Sequence, residues 1–212
     1  GAENFQKMAK RVLLDKDISL KTKIHSVLHL LNSSMFLMIL IVAILSIPML
    51  YIKNEHPHLK SYFYMISFFI VSSIIFFICY WYMFKKSYGG GVKSFLKYTG
   101  TFFTFFSIAL GFSFHNSIAV LEGHFGKKSD FIRTPKFNIK TLKDTWKKNK
   151  YIHNKISINT IIEGIMTFYF AFGMYSAFVV GNQEGDFGLF PFHLMLFLGF
   201  GYVFWKSIFS RA

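Results

Sequence analysis

Residues 30–52 read LLNSSMFLMILIVAILSIPMLYI, a run without a single formally charged side chain. A helix of about 20 apolar residues is long enough to cross the roughly 30 Å of hydrocarbon in a bilayer. Backbone groups in lipid need hydrogen-bond partners within the segment, so a single crossing without barrel-like alternation is helical. This stretch therefore predicts a transmembrane helix.

Four further stretches lack formal charge over a comparable length: Ser61–Phe84, Tyr98–Leu121, Gly164–Gln183 and Phe187–Trp205. The chain as a whole is 53% hydrophobic and 20% aromatic, with 29 Phe among 212 residues, which exceeds the usual composition of a soluble domain. The predicted fold class is all-α, with four or five hydrophobic segments forming polytopic transmembrane helices.

The distribution of the 24 Lys and Arg residues favours four crossings over five. Six lie in residues 1–29, two in 53–60, four in 85–97, ten in 122–163 and two in 206–212. Five crossings would separate the loop of ten from the N-terminal six, against the tendency of basic loops to stay on the cytoplasmic side. If residues 98–121 lie in the interface or re-enter, 22 basic residues are cytoplasmic. If residues 61–84 are the segment that does not cross, 18 are cytoplasmic, and we rank this arrangement second.

The C-terminal part of the third segment, Ser113–Phe125, has the pattern of an amphipathic helix at a membrane surface. Its apolar residues recur at helical spacing, opposite a polar set; the apolar residues are Phe114, Ile118, Leu121 and Phe125, and the polar ones are His115, Asn116, Glu122 and His124. The N-terminus has a similar stripe of Phe5, Met8, Val12 and Leu13 beside Lys7, Lys10 and Arg11. The alternative for both is an ordinary helix packed on protein.

These patterns divide the chain into four parts. Residues 1–29 form an N-terminal amphipathic interfacial segment, and residues 30–121 form transmembrane and re-entrant or interfacial helices. Residues 122–163 form a basic cytoplasmic loop, and residues 164–212 form a C-terminal transmembrane hairpin.

Several functional classes find little support in the sequence. The pI near 9.8 reflects cations in juxtamembrane loops, which suit anionic lipid headgroups, and no nucleic-acid-binding module is recognised. The single cysteine, Cys79, allows neither a disulfide framework nor a thiol metal site, and we predict no metal site. Glu163 and His193 lie in or beside apolar spans, where ionisable residues suggest function by default.

The basic segment begins with a group of residues suited to a diphosphate. Phe131 to Lys136 read FIRTPK, and a Thr hydroxyl with Arg and Lys can orient and neutralise phosphate oxygens. Composition alone does not distinguish this use from a solvated basic loop or a Thr-Pro phosphorylation site.

The chain resembles the C-terminal membrane half of processive-type family 2 glycosyltransferases, similar to cellulose and mannan synthases and to a bacterial cellulose-synthase-like group. In that family an amphipathic helix leads into a gating loop with the pattern Phe-x-Val-Thr-x-Lys. Phe131, Thr134 and Lys136 match this pattern in order, and Arg133 stands where the family often has Val. The preceding SFHNSIAVLEG and the N-terminal GAENFQKMAKRVL also resemble family segments.

The resemblance implies that Phe131, Arg133, Thr134 and Lys136 close over a nucleotide sugar, and that His115, Asn116 and Glu122 lie on the acceptor path or interfacial helix. The family's Asp-x-Asp site, catalytic-base Asp and Gln-x-x-Arg-Trp motif do not occur in these 212 residues. We therefore expect the catalytic domain upstream of Gly1, no catalytic residues in this chain, and an inactive fragment. The divalent cation, Mg or Mn, would be bound by that domain.

The resulting hypothesis is an inverting glycosyltransferase that transfers sugar from a nucleotide-diphosphate donor to a glycan or lipid-linked acceptor. We expect a multi-pass protein of the bacterial inner membrane with cytoplasmic basic loops, packed against its own catalytic domain and membrane lipids. Two alternatives stay open: a transporter or channel component, marked by ionisable residues facing one another at mid-membrane, and a membrane-anchored interaction protein.

Overall fold

A computed structural model describes residues 1–68, 70–127, 156–181 and 185–209, and every regular element in these ranges is helical. The prediction of an all-α fold is confirmed. The helices are α1 Ala2–Leu14, α2 Leu20–Leu30, α3 Met35–Glu55, α4 Lys60–Ser67, α5 Ile70–Tyr88, α6 Val92–Gly111, α7 Ser113–His124, α8 Ile158–Val179 and α9 Phe190–Phe209, with short 3₁₀ turns at Leu31–Ser34 and Pro57–Leu59.

Four helical stretches are long and apolar enough to cross a membrane. They are Leu20–Glu55, Pro57–Tyr88, α8 and α9. Helices α6 and α7, which meet at Phe112 with a bend of 44°, qualify together as a fifth. By length and composition the chain is thus a multi-pass membrane protein with four or five spans, as the sequence predicts.

Helices α3 and α8 run parallel and share hydrogen bonds between polar side chains. The Tyr169 hydroxyl of α8 donates to the Ile44 carbonyl at 2.6 Å, and seven residues further along both helices the Tyr51 and Ser176 hydroxyls lie 3.0 Å apart. Helix α9 packs antiparallel to α8. The shared apolar core consists of Leu40, Ala43, Ile47, Phe170, Leu196 and Phe200, all buried.

The bent pair α6–α7 completes a four-membered bundle and runs in the same direction as α9. Gly111 of α6 contacts Gly199 of α9. Four residues later, His115 of α7 contacts Glu163 of α8, and the next residue of α8, Gly164, contacts Phe204 of α9. Residue numbers therefore increase in the same direction along α6–α7 and along α9, so these helices are parallel. The bundle has alternating helix directions: α3 and α8 point one way, α6–α7 and α9 the other.

Helices α4 and α5 lie outside this bundle, and the apolar window of the Pro57–Tyr88 stretch contains no buried residue. Helix α5 packs on the first half of α6 through aromatic rings, with Phe77 against Phe102 at 4.9 Å and Trp81 against Tyr98 at 5.4 Å. Helix α5 therefore lies on the outside of α6, and by length and composition both Pro57–Tyr88 and the bent pair α6–α7 qualify as spans.

Helices α6 and α9 are in backbone contact through three small residues. Ser107 and Gly111 lie one turn apart on α6, and Gly199 faces both. A β-carbon on Gly199 would overlap the Ser107 carbonyl and lie 3.0 Å from the Gly111 nitrogen. Small residues permit this close approach in membranes, where association depends on packing rather than on exclusion of water.

We predict that Gly199→Ala destabilises the bundle, because the added methyl group collides with backbone that cannot rotate away. Overpacking of this kind costs about 1–3 kcal/mol. Gly100→Ala on the exposed face of α6 is the matched control, since its β-carbon would meet nothing within 4 Å. Alanine is the better helix former there by up to about 1 kcal/mol. Thermal unfolding in detergent measures both, and equal midpoints for the two variants would contradict the close contact.

A polar clasp joins the α8–α9 loop to the end of α3. Asp186 accepts hydrogen bonds from Lys53 at 2.6 Å and from Asn54 at 3.3 Å, and its other oxygen accepts the Gly188 N–H at 3.1 Å. Burial alone would raise the pKa of Asp186, but these hydrogen bonds and the Lys53 charge outweigh it, so the pKa falls below the ordinary 3.8. The ionised form therefore stabilises the fold.

We predict that Asp186→Asn lowers the free energy of unfolding at pH 7 by about 1–2 kcal/mol, because charge-assisted hydrogen bonds become neutral ones. With a lowered folded-state pKa, the stabilisation is complete above pH 3.8 and is lost as the pH falls through the folded value. The wild type should therefore lose more stability below pH 4 than the variant. Lys7→Gln, which breaks the exposed Glu3–Lys7 pair, is the control and should change stability by less than about 1 kcal/mol.

Candidate functional site

The basic segment predicted to act as a gating loop begins and ends at one end of the bundle. Helix α7 finishes at His124 and the described chain continues to Lys127; α8 begins after Ser157, whose hydroxyl caps the helix by accepting the Thr160 N–H at 3.2 Å. Residues 128–155 lie outside the described ranges, and with them the predicted loop residues Phe131, Arg133, Thr134 and Lys136. Their role stays a prediction.

Two ionisable residues, one in the first turn of α7 and the other in the second turn of α8, are in contact. His115 Nε2 forms a short contact with Glu163 Oε1. The Glu163 side chain is fully buried, whereas 38% of the His115 side chain is exposed. The second carboxylate oxygen, Oε2, has no hydrogen-bond partner among the described residues. The pair thus links the two helices that flank the basic segment, and one of its acceptor positions is unused.

The buried face of α7, a helix that packs mainly on α3 and α1, carries small residues. Ser113, Ser117 and Val120 form the buried face of α7, at positions i, i+4 and i+7 of one helical stripe. The two serine hydroxyls donate back to helix carbonyls, at 2.6 Å to Leu110 and 2.7 Å to Ser113, so they need no partner across the contact. Small, internally satisfied side chains allow α7 to lie close to the bundle. The predicted apolar stripe is divided, because Phe114 packs against the core while Leu121 and Phe125 are exposed.

Asn116 and Glu122 lie on a different side of α7 from the His115–Glu163 pair. Both line a polar cavity of about 350 Å³ between α1, α7 and the start of α3, together with Ser33 and Lys127. Glu122 is paired with Lys127, and the buried Ser33 Oγ has no partner among the described residues. The three predicted interfacial residues therefore lie at two places: His115 contacts Glu163, whereas Asn116 and Glu122 line the polar cavity.

Helix α1 packs on α7 and on the start of α3, rather than lying apart on the membrane surface. Its buried residues are Ala2 and Ala9, and the Phe5 ring meets the His124 ring edge-on at 5.4 Å. His124 also forms a 2.9 Å hydrogen bond with Ser34. The predicted stripe is divided, because Phe5 faces protein while Met8 is 43% exposed. Helix α1 is amphipathic as predicted, with part of its apolar face used for protein packing.

His193 occupies the middle of the bundle and faces a serine. Its Nε2 lies 2.9 Å from the Ser46 Oγ, and its other ring nitrogen lies against Gly173. Ser46 also donates to the Ala43 carbonyl at 2.7 Å. Among the described residues, the pair of ionisable groups in contact inside the bundle is instead His115 with Glu163, near one end. No group of three or more metal-ligating side chains occurs in the described ranges.

No family model, curated protein or solved structure matches the chain. The fold and the site therefore define the class by themselves. The chain is an all-helical, multi-pass membrane protein in which a half-exposed histidine and a buried glutamate join the two helices that flank a long basic segment.

Sequence reasoning identified His115 and Glu163 separately but not as partners. A helical pattern indicates His115, and the rarity of ionisable residues in apolar spans indicates Glu163. The 48 residues between them include the basic segment, so spacing along the chain gives no reason to pair them. The sequence feature that could predict the contact is the presence of two isolated ionisable residues in apolar helices, because such residues usually pair with one another.

We predict that His115→Ala destabilises the chain by about 1–3 kcal/mol, because it leaves a fully buried carboxylate without its partner. Replacing both residues by Leu should recover most of the loss, since a pair of apolar groups leaves no buried charge. Glu122→Gln is the control, because its pair with Lys127 is exposed and should contribute less than about 1 kcal/mol. The comparison is made by thermal unfolding in detergent, and a double variant less stable than His115→Ala would contradict the explanation.

Proposed function

We propose that this chain is the membrane part of an inverting glycosyltransferase, which transfers sugar from a nucleotide-diphosphate sugar to a glycan or lipid-linked acceptor. The observation that carries the proposal is the common location of three features at one end of the bundle. These are α7, whose first turn contacts Glu163 through His115, the start of α8, and α1, which packs on α7. The basic segment connects α7 to α8, and α1, the first helix of the chain, packs on α7. In this proposal the catalytic domain precedes α1.

The chemistry of the basic segment supports a role at a diphosphate. Residues 128–155 contain nine Lys and Arg and only two acidic residues, Asp130 and Asp144. Cationic donors neutralise and orient phosphate oxygens, and a preorganised set of donors stabilises the charge that develops on a leaving diphosphate. A loop with both attachments fixed at one end of the bundle can close over a bound donor and exclude water. Thr134, Lys136 and Arg133 are the residues proposed for this closure.

The remaining chemistry is assigned to the upstream catalytic domain. A divalent cation held there would neutralise the diphosphate, and a carboxylate there would deprotonate the acceptor hydroxyl. This chain contributes the gating segment, and its helices contribute the acceptor path, with the domain packed against α1 and α7. The proposed location is the bacterial inner membrane, with the α1 end of the bundle and the basic segment in the cytoplasm.

The proposal predicts a specific loss of donor binding in the intact enzyme. Replacing Arg133, Thr134 and Lys136 together by Ala should raise KM for the nucleotide sugar and lower the rate of transfer, because three donors to the diphosphate are removed. Single donors at such sites change rates by about 10²–10³-fold. Initial rates at varied donor concentration, with membranes containing the intact protein, measure the effect.

The matched control replaces three basic residues later in the same segment, Lys147, Lys148 and Lys150, which lowers the charge more without touching the predicted pattern. If both triple variants lose activity equally, the segment acts through its overall charge. Unchanged donor affinity after the first triple replacement would refute the gating role. An open reading frame upstream of Gly1 without Asp-x-Asp and Gln-x-x-Arg-Trp motifs would refute the transferase itself.

A second candidate function is a transporter component, and the His115–Glu163 contact is the observation that favours it. Ionisable residues facing one another inside an apolar bundle are typical of proton and ion pathways. The two candidates differ in the expected result for Glu163→Gln. If the protein is a transporter, Glu163→Gln should abolish substrate or proton flux in proteoliposomes. If it is a transferase, the same variant should retain sugar transfer from the nucleotide-sugar donor.

A further inference from the structure

A long apolar groove runs along the outside of the contact between α6 and α9. It has a volume of about 790 Å³, within the roughly 300–1,000 Å³ of sites that hold small organic ligands. Phe103 and Ile108 of α6 form one wall, and Met195, Leu198 and Tyr202 of α9 form the other. The groove exists because Gly199 brings the two backbones together while the larger side chains on either side diverge.

The length of the groove matches the hydrocarbon of one membrane leaflet. Along α9 it extends from Pro191 to Tyr202, and at 1.5 Å per residue this is about 16 Å. Half of the roughly 30 Å hydrocarbon core is about 15 Å. An acyl chain that enters from one leaflet therefore has the reach to fill the groove.

A cation lies at one mouth of the groove. The Lys206 ammonium is 5.9 Å from the centre of the Tyr202 ring, at the end where α9 finishes. Helical side chains lean toward the N-terminus of their helix, which directs Lys206 back over the groove residue one turn earlier. Glu163, near this end of the bundle, is fully buried and its Oε1 contacts His115. The mouth therefore presents a positive charge.

We propose that the groove between α6 and α9 binds the acyl chain of an anionic phospholipid, with the lipid phosphate at Lys206. The apolar walls select a hydrocarbon chain, the length selects a chain from one leaflet, and the Lys206 charge selects the headgroup. This inference concerns the described helices and is independent of the proposed transferase.

The test compares two lipids with the same tails and different headgroups. The chain is purified in detergent and mixed with either dioleoylphosphatidylglycerol or dioleoylphosphatidylcholine, and bound lipids are counted by native mass spectrometry. We expect one phosphatidylglycerol to be retained with about fivefold preference, the effect expected of one cation near an anionic headgroup. Lys206→Gln should abolish the preference. Lys97→Gln is the matched control, because Lys97 lies over Tyr88 at 5.8 Å in a pair of the same kind on the α5–α6 hairpin.

A second variant tests the acyl-chain part of the site. Thr104→Trp projects a large ring into the groove and should reduce retention of both lipids, whereas Thr101→Trp, one turn earlier on exposed α6, should not. All variants are first compared by size-exclusion chromatography; if Thr104→Trp fails to fold, Lys206→Gln on the exposed surface still decides the headgroup. Equal retention of the two lipids by the wild type would overturn the proposal, as would a preference unchanged in Lys206→Gln. Lipid-free dimers would assign the groove to a second copy of the chain and would also overturn it.

Discussion

The arrangement of the bundle depends on the backbone contact between α6 and α9. In lipid, apolar side chains gain nothing from leaving water, so helices associate where close packing and polar contacts favour it. Ser107, Gly111 and Gly199 provide such a place, because no side chain larger than a hydroxymethyl separates the two backbones. The same contact fixes the direction of α6–α7 relative to α9, carries α7 to the start of α8, and opens the groove on the outer side.

Polar contacts then fix α3 and the two loops relative to this pair. Tyr169 and Tyr51 of the α3–α8 contact, His193 with Ser46, and Asp186 with Lys53 occur at successive levels of the bundle. A polar side chain in an apolar environment is costly unless it is paired, so each contact specifies one register between two helices. Apolar packing alone would tolerate a shift of one turn more easily, because Leu, Ile and Phe can exchange neighbours.

The two ends of the bundle differ in ways that matter for the proposed chemistry. One end has the Asp186 clasp, in which Lys53 and Asn54 of α3 donate hydrogen bonds to Asp186. The other has α1, the polar cavity, the His115–Glu163 pair and both attachments of the basic segment. The contact between His115 and the buried Glu163 joins α7 to α8, the two helices that flank the basic segment.

Local sequence predicted the helical class and most of the apolar spans, and it located α7 almost residue by residue as Ser113–Phe125. Its errors at boundaries have physical causes. The predicted span begins at Gly164 because Glu163 carries a formal charge, yet α8 begins at Ile158, where the Ser157 hydroxyl caps the helix. The predicted segment Tyr98–Leu121 corresponds to parts of two helices. Helix α6 starts earlier, at Val92, and the chain bends by 44° at Phe112, where α7 follows.

Helicity and compatibility with lipid are properties of a segment's own side chains, so the sequence by itself determined that this is an all-helical membrane protein with a basic segment between its third and fourth apolar regions. Which helices touch was decided only by the tertiary structure. The contact of Gly111 with Gly199, the pairing of His115 with Glu163 and the exclusion of α4–α5 from the bundle join residues far apart in the chain. Such contacts depend on which faces fit together in three dimensions, and no local pattern of residues records that fit.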